Sequence, residues 1–359
     1  MIRLVHILTS FDIGGAEQLV LDICRRLDRK RFDVSVVAVV RGGPLRPEFH
    51  EAGIPTEVIG KTSKLGLRTI RTLTEVLQRP RPDIVHTHLF GGDTWGRIAA
   101  FRAGVPHVVS TEHNINVDEG FVKRLVKRRL AERTERIVAV SDAVRSTSLR
   151  VDHIPRGKVV VIPNGVDLER FHPSERRPSD RTRFIGIGRF VPQKGFDVLI
   201  DAFAVLRSTL PRASLMLVGN GPQHTHLEAQ IRAYHLEDRV QLLGLRRDIA
   251  DLLTTADIAV VPSRWEGFGL AALEASASGL PVIASAVGGL REVIVDQETG
   301  MLVPPEEPKI LADTMRDLGM DRPRQVLFGH AGRRHVERHF DINRVVQRYA
   351  ELYEDLARQ

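Results

Sequence analysis

Short apolar segments alternate with helical segments along the whole chain, and this alternation restricts the fold more than any other feature. Seven β-type segments lie in the first half, at residues 4–8, 34–39, 56–59, 84–87, 107–110, 136–140 and 159–162. Six more lie in the second half, at residues 183–187, 214–218, 240–242, 258–261, 282–284 and 301–303. Strands that alternate with helices are typical of parallel sheets. The sequence therefore predicts an α/β protein of two doubly wound domains, whose ligands bind beyond the carboxyl ends of the strands.

The domain boundary is predicted from a change in composition near the middle of the chain. A length of 359 residues is too great for one ordinary hydrophobic core. Residues 163–167 form a Pro-Asn-Gly turn, and Pro and Arg residues follow within 173–179, as is typical of a linker. We expect domains at residues 1–168 and 169–341, with a charged helix at about 342–359 that packs back onto the first domain.

Composition restricts the class of protein. The content of 42% hydrophobic and 27% charged residues is that of a soluble globular chain, with no apolar run long enough to span a membrane and no signal-peptide pattern. The single cysteine, Cys24, cannot form an internal disulfide, which fits a reducing compartment. We expect a cytoplasmic protein, with peripheral attachment to the inner face of the cell membrane left open.

Positive charge is concentrated in the first domain. Residues 1–168 carry 27 Lys and Arg against 19 Asp and Glu, and residues 121–133 hold the densest basic run, with Phe121, Val122 and Leu125 at helical spacing. Two interpretations stay open: a helix that lies on anionic lipid, or a surface helix whose apolar stripe packs on its own domain. Only 5% of residues are aromatic and no recognition motif is present, which argues against nucleic acid as a partner.

The segment 262–274 is the strongest indication of a site. It follows a short apolar strand segment and places Glu266 and Glu274 eight positions apart around a helix start, where Gly267 and Gly269 loosen the turn. Such a turn directs free backbone N–H groups at an anion. A carboxylate accepts hydrogen bonds from two hydroxyls at once, which suits the diols of a sugar or ribose. A capped helix with two solvated glutamates is the alternative for this segment alone.

A second anion site is predicted at residues 188–195, after the first strand of the second domain. Arg189 offers a bidentate contact to a diphosphate, Lys194 a point charge, and the helix that follows Gly195 its positive end. Further glycine turns follow other strands, at residues 14–15, 219–221 and 288–289. Each of these turns could by itself be a plain connection.

Histidines stand at the strand ends of the first domain. His86 and His88 share one face of a strand, but the sequence offers no third ligand at metal-binding spacing and no Asp-x-Asp, so no metal site is predicted. His113, just past a strand end, is a candidate for substrate contact. A packed histidine at the edge of the domain is the alternative.

Taken together, these motifs resemble family 4 of the retaining glycosyltransferases. The resemblance covers nearly the full chain in order and rests on the segments 14–17, 161–167, 188–195, 218–222 and 266–274. It implies the GT-B fold, in which two Rossmann-like domains face each other across a cleft, and transfer of a sugar from a nucleoside diphosphate to an acceptor hydroxyl.

The resemblance also assigns roles to residues. Arg189 and Lys194 would neutralise the donor diphosphate, Glu266 would hold the transferred sugar and His113 would lie by its hydroxyls, while Glu274 would bind ribose. The remaining donor-binding positions it implies are Gly15, Gly188, Gly219, Phe268, Gly269 and Leu270. No metal would be required, because fixed cations and helix amides stabilise the charge of the leaving group.

The sequence therefore predicts a retaining hexosyltransferase that uses a UDP- or GDP-sugar and builds a surface polysaccharide or glycolipid on a glycan or lipid-linked acceptor. Two alternatives remain at this point. One is a nucleotide-sugar epimerase with the same fold, and the other is a non-catalytic protein that binds a sugar nucleotide.

Overall fold

Two parallel sheets make up the framework of the protein. The computed structural model describes residues 1–60, 66–79, 81–115, 120–174 and 181–359, and these ranges contain thirteen paired strands. The chain divides into a first unit, Met1–Gly165 with Ile342–Gln359, and a second unit, Val166–Asp341. The division falls at residue 165, where the sequence analysis placed it at 168. The part of the predicted linker at 175–179 lies outside the described residues.

The first unit is built on a seven-stranded sheet with strand order β3-β2-β1-β4-β5-β6-β7. Its strands are β1 (Ile2–Ser10), β2 (Phe32–Arg41), β3 (Thr56–Val58), β4 (Ile84–His88), β5 (His107–Glu112), β6 (Arg136–Ala139) and β7 (Val159–Val161). Its helices are α1 (Gly15–Arg26), α2 (Arg46–Glu51), α3 (Leu67–Leu77), α4 (Phe90–Ala103), α5 (Phe121–Glu132) and α6 (Asp142–Arg150). The order of strands reverses between β1 and β4, where the chain winds outward in both directions.

The second unit is built on a six-stranded sheet with strand order β10-β9-β8-β11-β12-β13. Its strands are β8 (Arg183–Ile187), β9 (Ser214–Val218), β10 (Val240–Leu242), β11 (Ile258–Val261), β12 (Val282–Ser285) and β13 (Gly300–Val303). Its helices are α7 (Phe196–Leu206), α8 (His224–Ala233), α9 (Ile249–Thr255), α10 (Leu270–Ala277), α11 (Leu290–Val293), α12 (Pro308–Met320) and α13 (Arg322–His339). Here the order reverses between β8 and β11.

The predicted doubly wound α/β architecture is confirmed. Each of the thirteen segments predicted as strands is a strand, and each pair of neighbours in the two sheets runs parallel. Strands such as β4 and β11 are buried along their whole length, as expected of parallel strands covered by helices on both faces.

The C-terminal helix, α14 (Ile342–Ala357), belongs to the first unit, as predicted. It lies beside α1 and buries Tyr349 and Tyr353 completely. A large aromatic side chain contributes more buried apolar area than most residues, so these two tyrosines anchor the end of the chain in the first domain.

No helix in the described part of the chain combines the length and the apolar character that a membrane crossing requires.

Candidate active site

The second unit brings its sequence motifs together at the point where strand order reverses. The loops that follow β8 and β11 leave the same edge of the sheet side by side, since these two strands are neighbours. The first loop carries Arg189 and Lys194, and the second carries Glu266. A reversal of this kind leaves a crevice beyond the strand ends, and this crevice is where open α/β sheets bind ligands.

Lys194 and Glu266 are in direct contact. The Lys194 Nζ donates to Glu266 Oε2 at 2.6 Å, and the Ser263 hydroxyl donates to the same oxygen at 3.1 Å. Glu266 is almost completely buried, at 6% exposure, while Oε1 of its carboxylate accepts no hydrogen bond from the described residues. The carboxylate is therefore fixed through one oxygen and retains the other for a ligand.

Arg264 ties the two loops to each other. Its guanidinium binds the Asp197 carboxylate through two hydrogen bonds of 2.9 and 2.7 Å, and it donates to the Pro192 carbonyl at 2.7 Å. Burial alone would raise the pKa of Asp197, but the hydrogen bonds from Arg264 hold that pKa below its usual value. The Gln193 amide adds a hydrogen bond of 3.0 Å to the Trp265 carbonyl. These contacts fix the two loops, and with them Lys194 and Glu266, relative to each other.

Two glycines with positive φ shape the helix starts at this edge. Gly195 (φ 63°) precedes α7, and a Cβ there would overlap the Pro262 carbonyl oxygen. Gly269 (φ 104°) precedes α10, and a Cβ there would overlap the Leu290 side chain. Neither helix has a side-chain N-cap, so the first N–H groups of α7 and α10 are not taken by a capping side chain.

The loop after β9 adjoins the loop after β8. At Gly219 (φ 146°) a Cβ would overlap the carbonyl oxygen of Gly188, and the Phe190 N–H donates to the Asn220 carbonyl at 2.9 Å. The predicted donor-binding positions Gly188 and Gly219 are therefore in backbone contact.

The remaining predicted residues of this unit take different environments. Phe268 and Gly269 are buried and Leu270 is partly buried, at the start of α10. Glu274, one turn further along, is partly buried. Arg189 is exposed, and its guanidinium has no hydrogen-bond or ion-pair partner among the described residues. The structure thus joins Lys194 and Glu266 directly and leaves Arg189 and Glu274 outside that contact.

The first unit places its own candidates after β1 and β5, the two neighbours of β4 in the sheet. Gly15 is the exposed first residue of α1, which follows β1. His113 directly follows β5 and is partly buried. Its Nε2 lies 3.2 Å from Nδ1 of the fully buried His88.

His6 completes a histidine cluster that the sequence analysis did not predict. It lies on β1, in register with His86 on β4, and the ligand nitrogens of His6, His86 and His88 lie within 4.8 Å of one another. Both nitrogens of His86 are already engaged, with the Tyr353 hydroxyl at 2.6 Å and the Thr111 hydroxyl at 2.7 Å. A metal ion would have to displace one of those partners, so the cluster is better described as a hydrogen-bonded layer.

Burial keeps these imidazoles neutral. It lowers the pKa of His6 to about 3 and that of His113 to about 4, and it lowers the pKa values of His86 and His88 well below the usual value.

Helix α5 corrects part of the interpretation of the basic segment. Lys127 is buried and pairs with Glu112 at 3.1 Å and with Asp152 at 3.0 Å, so it does not face lipid. The apolar side chains of this helix are not buried against the domain either: Phe121 is 79% exposed, Val122 72% and Leu125 44%. The helix therefore buries a lysine and exposes three apolar side chains.

Sequence reasoning missed His6, Ser263 and Arg264. Ser263 and Arg264 lie inside the motif that contains Glu266, so proximity in sequence was an available signal. His6 gave none, because its partner lies 80 residues away on a strand whose register the sequence does not reveal.

Two family models match the chain in sequence. Residues 13–170 match the model described as Glycosyltransferase Family 4, and residues 167–335 match Glycosyl transferases group 1. A D-inositol 3-phosphate glycosyltransferase of Kineococcus radiotolerans is 30% identical, over 91% of this chain and 87% of the relative.

A second relative and a solved structure cover nearly the whole chain. The UDP-Gal:alpha-D-GlcNAc-diphosphoundecaprenol alpha-1,3-galactosyltransferase of Escherichia coli is 27% identical, over 99% of this chain and 97% of the relative. The crystal structure of Anabaena Alr3699/HepE in complex with UDP-glucose superimposes with a TM-score of 0.89 at 26% identity, covering 99% of this chain and 100% of that one. The fold is that of the GT-B glycosyltransferases.

Proposed function

This chain belongs to glycosyltransferase family 4, and from that premise we propose that it transfers a sugar from a nucleoside diphosphate to an acceptor hydroxyl with retention of the anomeric configuration. The observation that carries the proposal is the contact of Lys194 with Glu266, at 2.6 Å, beside the uncapped start of α10. This arrangement offers a cation for a phosphate and a carboxylate oxygen for a sugar hydroxyl within one short distance.

The proposed chemistry depends on charge that develops on the leaving diphosphate. Lys194, Arg189 and the first N–H groups of α10 supply fixed positive charge, which stabilises the transition state more than the ground state. Oε1 of Glu266 would accept a hydrogen bond from a hydroxyl of the transferred sugar. In this mechanism the attacking hydroxyl approaches on the face that the diphosphate leaves, and a diphosphate oxygen takes its proton. Because Arg189 and Lys194 supply the charge, we expect the reaction to continue in EDTA.

We propose UDP as the nucleotide of the donor. The Escherichia coli relative is named for UDP-Gal, and the Anabaena protein was crystallised with UDP-glucose. Thermal unfolding in the presence of UDP, GDP and a panel of their sugars tests this, because a ligand that binds the folded state raises the melting temperature by mass action. UDP compounds should stabilise the protein and GDP compounds should not. The reverse order would contradict the assignment.

We further propose a lipid-linked acceptor and a place at the cytoplasmic face of the membrane, in the synthesis of a surface polysaccharide or glycolipid. The relative from Escherichia coli acts, by its name, on a diphosphoundecaprenol-linked sugar. In this chain α5 exposes Phe121, Val122 and Leu125 beside Lys123 and Arg128. Apolar side chains flanked by cations are the features that hold a helix on an anionic membrane surface.

Incubation with donor labelled in the sugar distinguishes the proposal from its two alternatives. A transferase moves the label to the acceptor and releases nucleoside diphosphate, and an α-linked donor gives an α-linked product. An epimerase returns an isomerised sugar nucleotide, and a non-catalytic binding protein releases nothing with any acceptor. An inverted product would contradict retention while leaving transfer intact.

A further inference from the structure

A row of imidazoles runs through the first unit from the middle of its sheet to His113. His6 lies on β1, His88 at the end of β4, and His113 just past β5. His6 Nδ1 lies 3.0 Å from His88 Nε2, and His88 Nδ1 lies 3.2 Å from His113 Nε2. His6 and His88 are fully buried and His113 is partly buried, so the row leads from the core to the surface of the unit.

His86 closes the side of this row. Its ring lies against that of His88 with centroids 4.1 Å apart, and its nitrogens are held by Tyr353 and Thr111. His88 is therefore packed in place by His86 and has both of its own nitrogens engaged within the row.

The protonation state restricts how these rings can bond. Burial lowers the pKa values of all three, so each ring is neutral near pH 7. A neutral imidazole has one N–H donor and one bare acceptor nitrogen. Each of the two hydrogen bonds joins Nδ1 of one ring to Nε2 of the next. If His88 carries its proton on Nδ1, it donates to Nε2 of His113 and accepts from Nδ1 of His6, so all three protons are on Nδ1. If His88 carries its proton on Nε2, the same reasoning puts all three on Nε2. It follows that the three rings take the same tautomer, either all Nδ1–H or all Nε2–H.

We propose that His88, supported by His6, is a positioning residue that fixes the ring orientation and the tautomer of His113. This inference rests on the proposed function and on the role that the family resemblance implies for His113, which is contact with the hydroxyls of the transferred sugar. Because Nε2 of His113 is taken by His88, only Nδ1 is left for the ligand, and Nδ1 has no partner among the described residues. Whether Nδ1 donates or accepts then follows from the tautomer that His113 shares with His88 and His6.

The first test needs no substrate and is independent of the proposed function. Two-bond 1H–15N spectra of the free protein labelled with 15N-histidine report which ring nitrogen carries the proton, and single His→Gln variants assign the signals. We expect His6, His88 and His113 in one common tautomer. A mixture of tautomers among the three would overturn the proposal even if the protein transfers sugar.

The second test measures positioning by kinetics. In His88→Asn the side-chain amide can take the place of Nδ1 toward His113, whereas His88→Leu fills the space without a polar group. Misplacement of a contact group by about 1 Å can reduce turnover about 100-fold, so we expect His88→Leu to lower kcat by about 10- to 100-fold with the KM for donor changed less than about threefold. His88→Asn should recover most of kcat.

His107→Leu, at the opposite end of β5, is the matched control and should behave as wild type. Equal losses in His88→Asn and His88→Leu with an unchanged His113 spectrum would show a packing role only and would overturn the proposal. If His88→Leu does not fold, His6→Leu takes its place in the comparison with His88→Asn. In His6→Leu the hydrogen bond from His88 to His113 remains. His88 and His113 should therefore still share one tautomer in this variant, and different tautomers in these two rings would count against the proposal.

Discussion

Arg189 and Lys194 are cations of one loop with different surroundings. Lys194 is held by Glu266, whereas Arg189 is exposed and its guanidinium has no hydrogen-bond or ion-pair partner among the described residues. Replacement of an exposed residue of this kind changes the free energy of unfolding by less than about 0.5 kcal/mol. A fixed cation that stabilises leaving-group charge contributes about 3 kcal/mol to the transition state. We therefore expect Arg189→Ala to keep its melting temperature and to lose about 100-fold in kcat/KM.

Lys309→Ala is the matched control for Arg189→Ala, because Lys309 is an exposed cation of the same unit on α12. Lys309→Ala should alter neither the melting temperature nor kcat/KM. Lys194→Ala should instead lower activity and stability together, since it leaves the buried Glu266 carboxylate without its counter-ion. Near-normal turnover of Arg189→Ala would remove it from the site.

Single residues show what the sequence reveals about a site and what it does not. Lys194 and Glu266 were predictable because each follows a strand and stands in a glycine turn. Arg264 could be placed near the site from its position beside Glu266, but its role could not be predicted, because that role depends on the Asp197 carboxylate, 67 positions away. The role of His6 could not be predicted either, since contacts between strands follow from register.

The starts of α7 and α10 require glycine, because a Cβ at Gly195 or Gly269 would overlap neighbouring atoms. For α7 this requirement can be tested with a matched control. Gly195 (φ 63°) and Gly244 (φ 67°) share a left-handed backbone, but a Cβ at Gly195 meets the Pro262 carbonyl while a Cβ at Gly244 meets nothing. A left-handed alanine costs about 1–2 kcal/mol. Gly244→Ala should therefore lower the melting temperature by only a few degrees and keep activity.

Gly195→Ala should lower the melting temperature further and reduce donor turnover, because the added methyl group pushes the loop of Lys194 away from that of Glu266. Calorimetry and donor turnover of the two variants check this expectation. Equal effects of the two substitutions would mean that the contact with Pro262 does not matter.

Helix α5 is the element that we expect to reach the membrane. Phe121→Ser/Val122→Ser/Leu125→Ser should reduce sedimentation with vesicles of phosphatidylglycerol and phosphatidylcholine by about tenfold or more, because burial of each apolar side chain contributes about 1.5–3 kcal/mol. Lys123→Gln/Arg128→Gln/Arg129→Gln should weaken binding to these anionic vesicles and leave the weak binding to pure phosphatidylcholine unchanged.

Val326→Ser/Leu327→Ser on α13 is the control for that experiment, since both residues are exposed apolar side chains of the other unit, 49% and 60% exposed. Unchanged sedimentation of the α5 variants would eliminate this helix as a membrane contact.

Elements were predictable where local signals agree. All strands could be placed because each is a short apolar run that ends at a turn residue, and a buried parallel strand requires such a run. The orientation of α5 could not be placed, since its pattern permits either face to be buried. The buried face is decided by Lys127, which pairs with Glu112 and Asp152. Both carboxylates come from other segments of the chain.

At the scale of the whole molecule, the two units differ in their buried histidines. The first holds His6, His86 and His88, all fully buried, and the second holds His335, which is partly buried and whose pKa burial lowers. The two tryptophans are divided between the units as well, with Trp95 in the first and Trp265 in the second. Fluorescence can therefore follow each unit separately, in Trp265→Phe and Trp95→Phe variants.

We expect acid to destabilise the first unit selectively. The pKa of His6 is about 3 when folded and about 6.5 when unfolded, so between these values the unfolded chain binds a proton that the folded chain does not. The free energy of unfolding is therefore at its full value above pH 6.5 and falls as the pH is lowered, by about 1.4 kcal/mol per pH unit for each fully buried imidazole. Glu112 acts in the opposite direction, since burial raises its pKa, but one carboxyl does not offset three imidazoles.

Urea unfolding at pH 7.5 and pH 5.5 checks this expectation. The transition reported by Trp95 should move to much lower urea at pH 5.5, while that reported by Trp265 should move little. His6→Leu removes one titrating group and should flatten the pH dependence of the first unit by about 1.4 kcal/mol per pH unit. Equal shifts of the two transitions would show that the imidazoles are charged or hydrated in the folded protein, and the row of hydrogen bonds from His6 to His113 would then not be made of neutral rings.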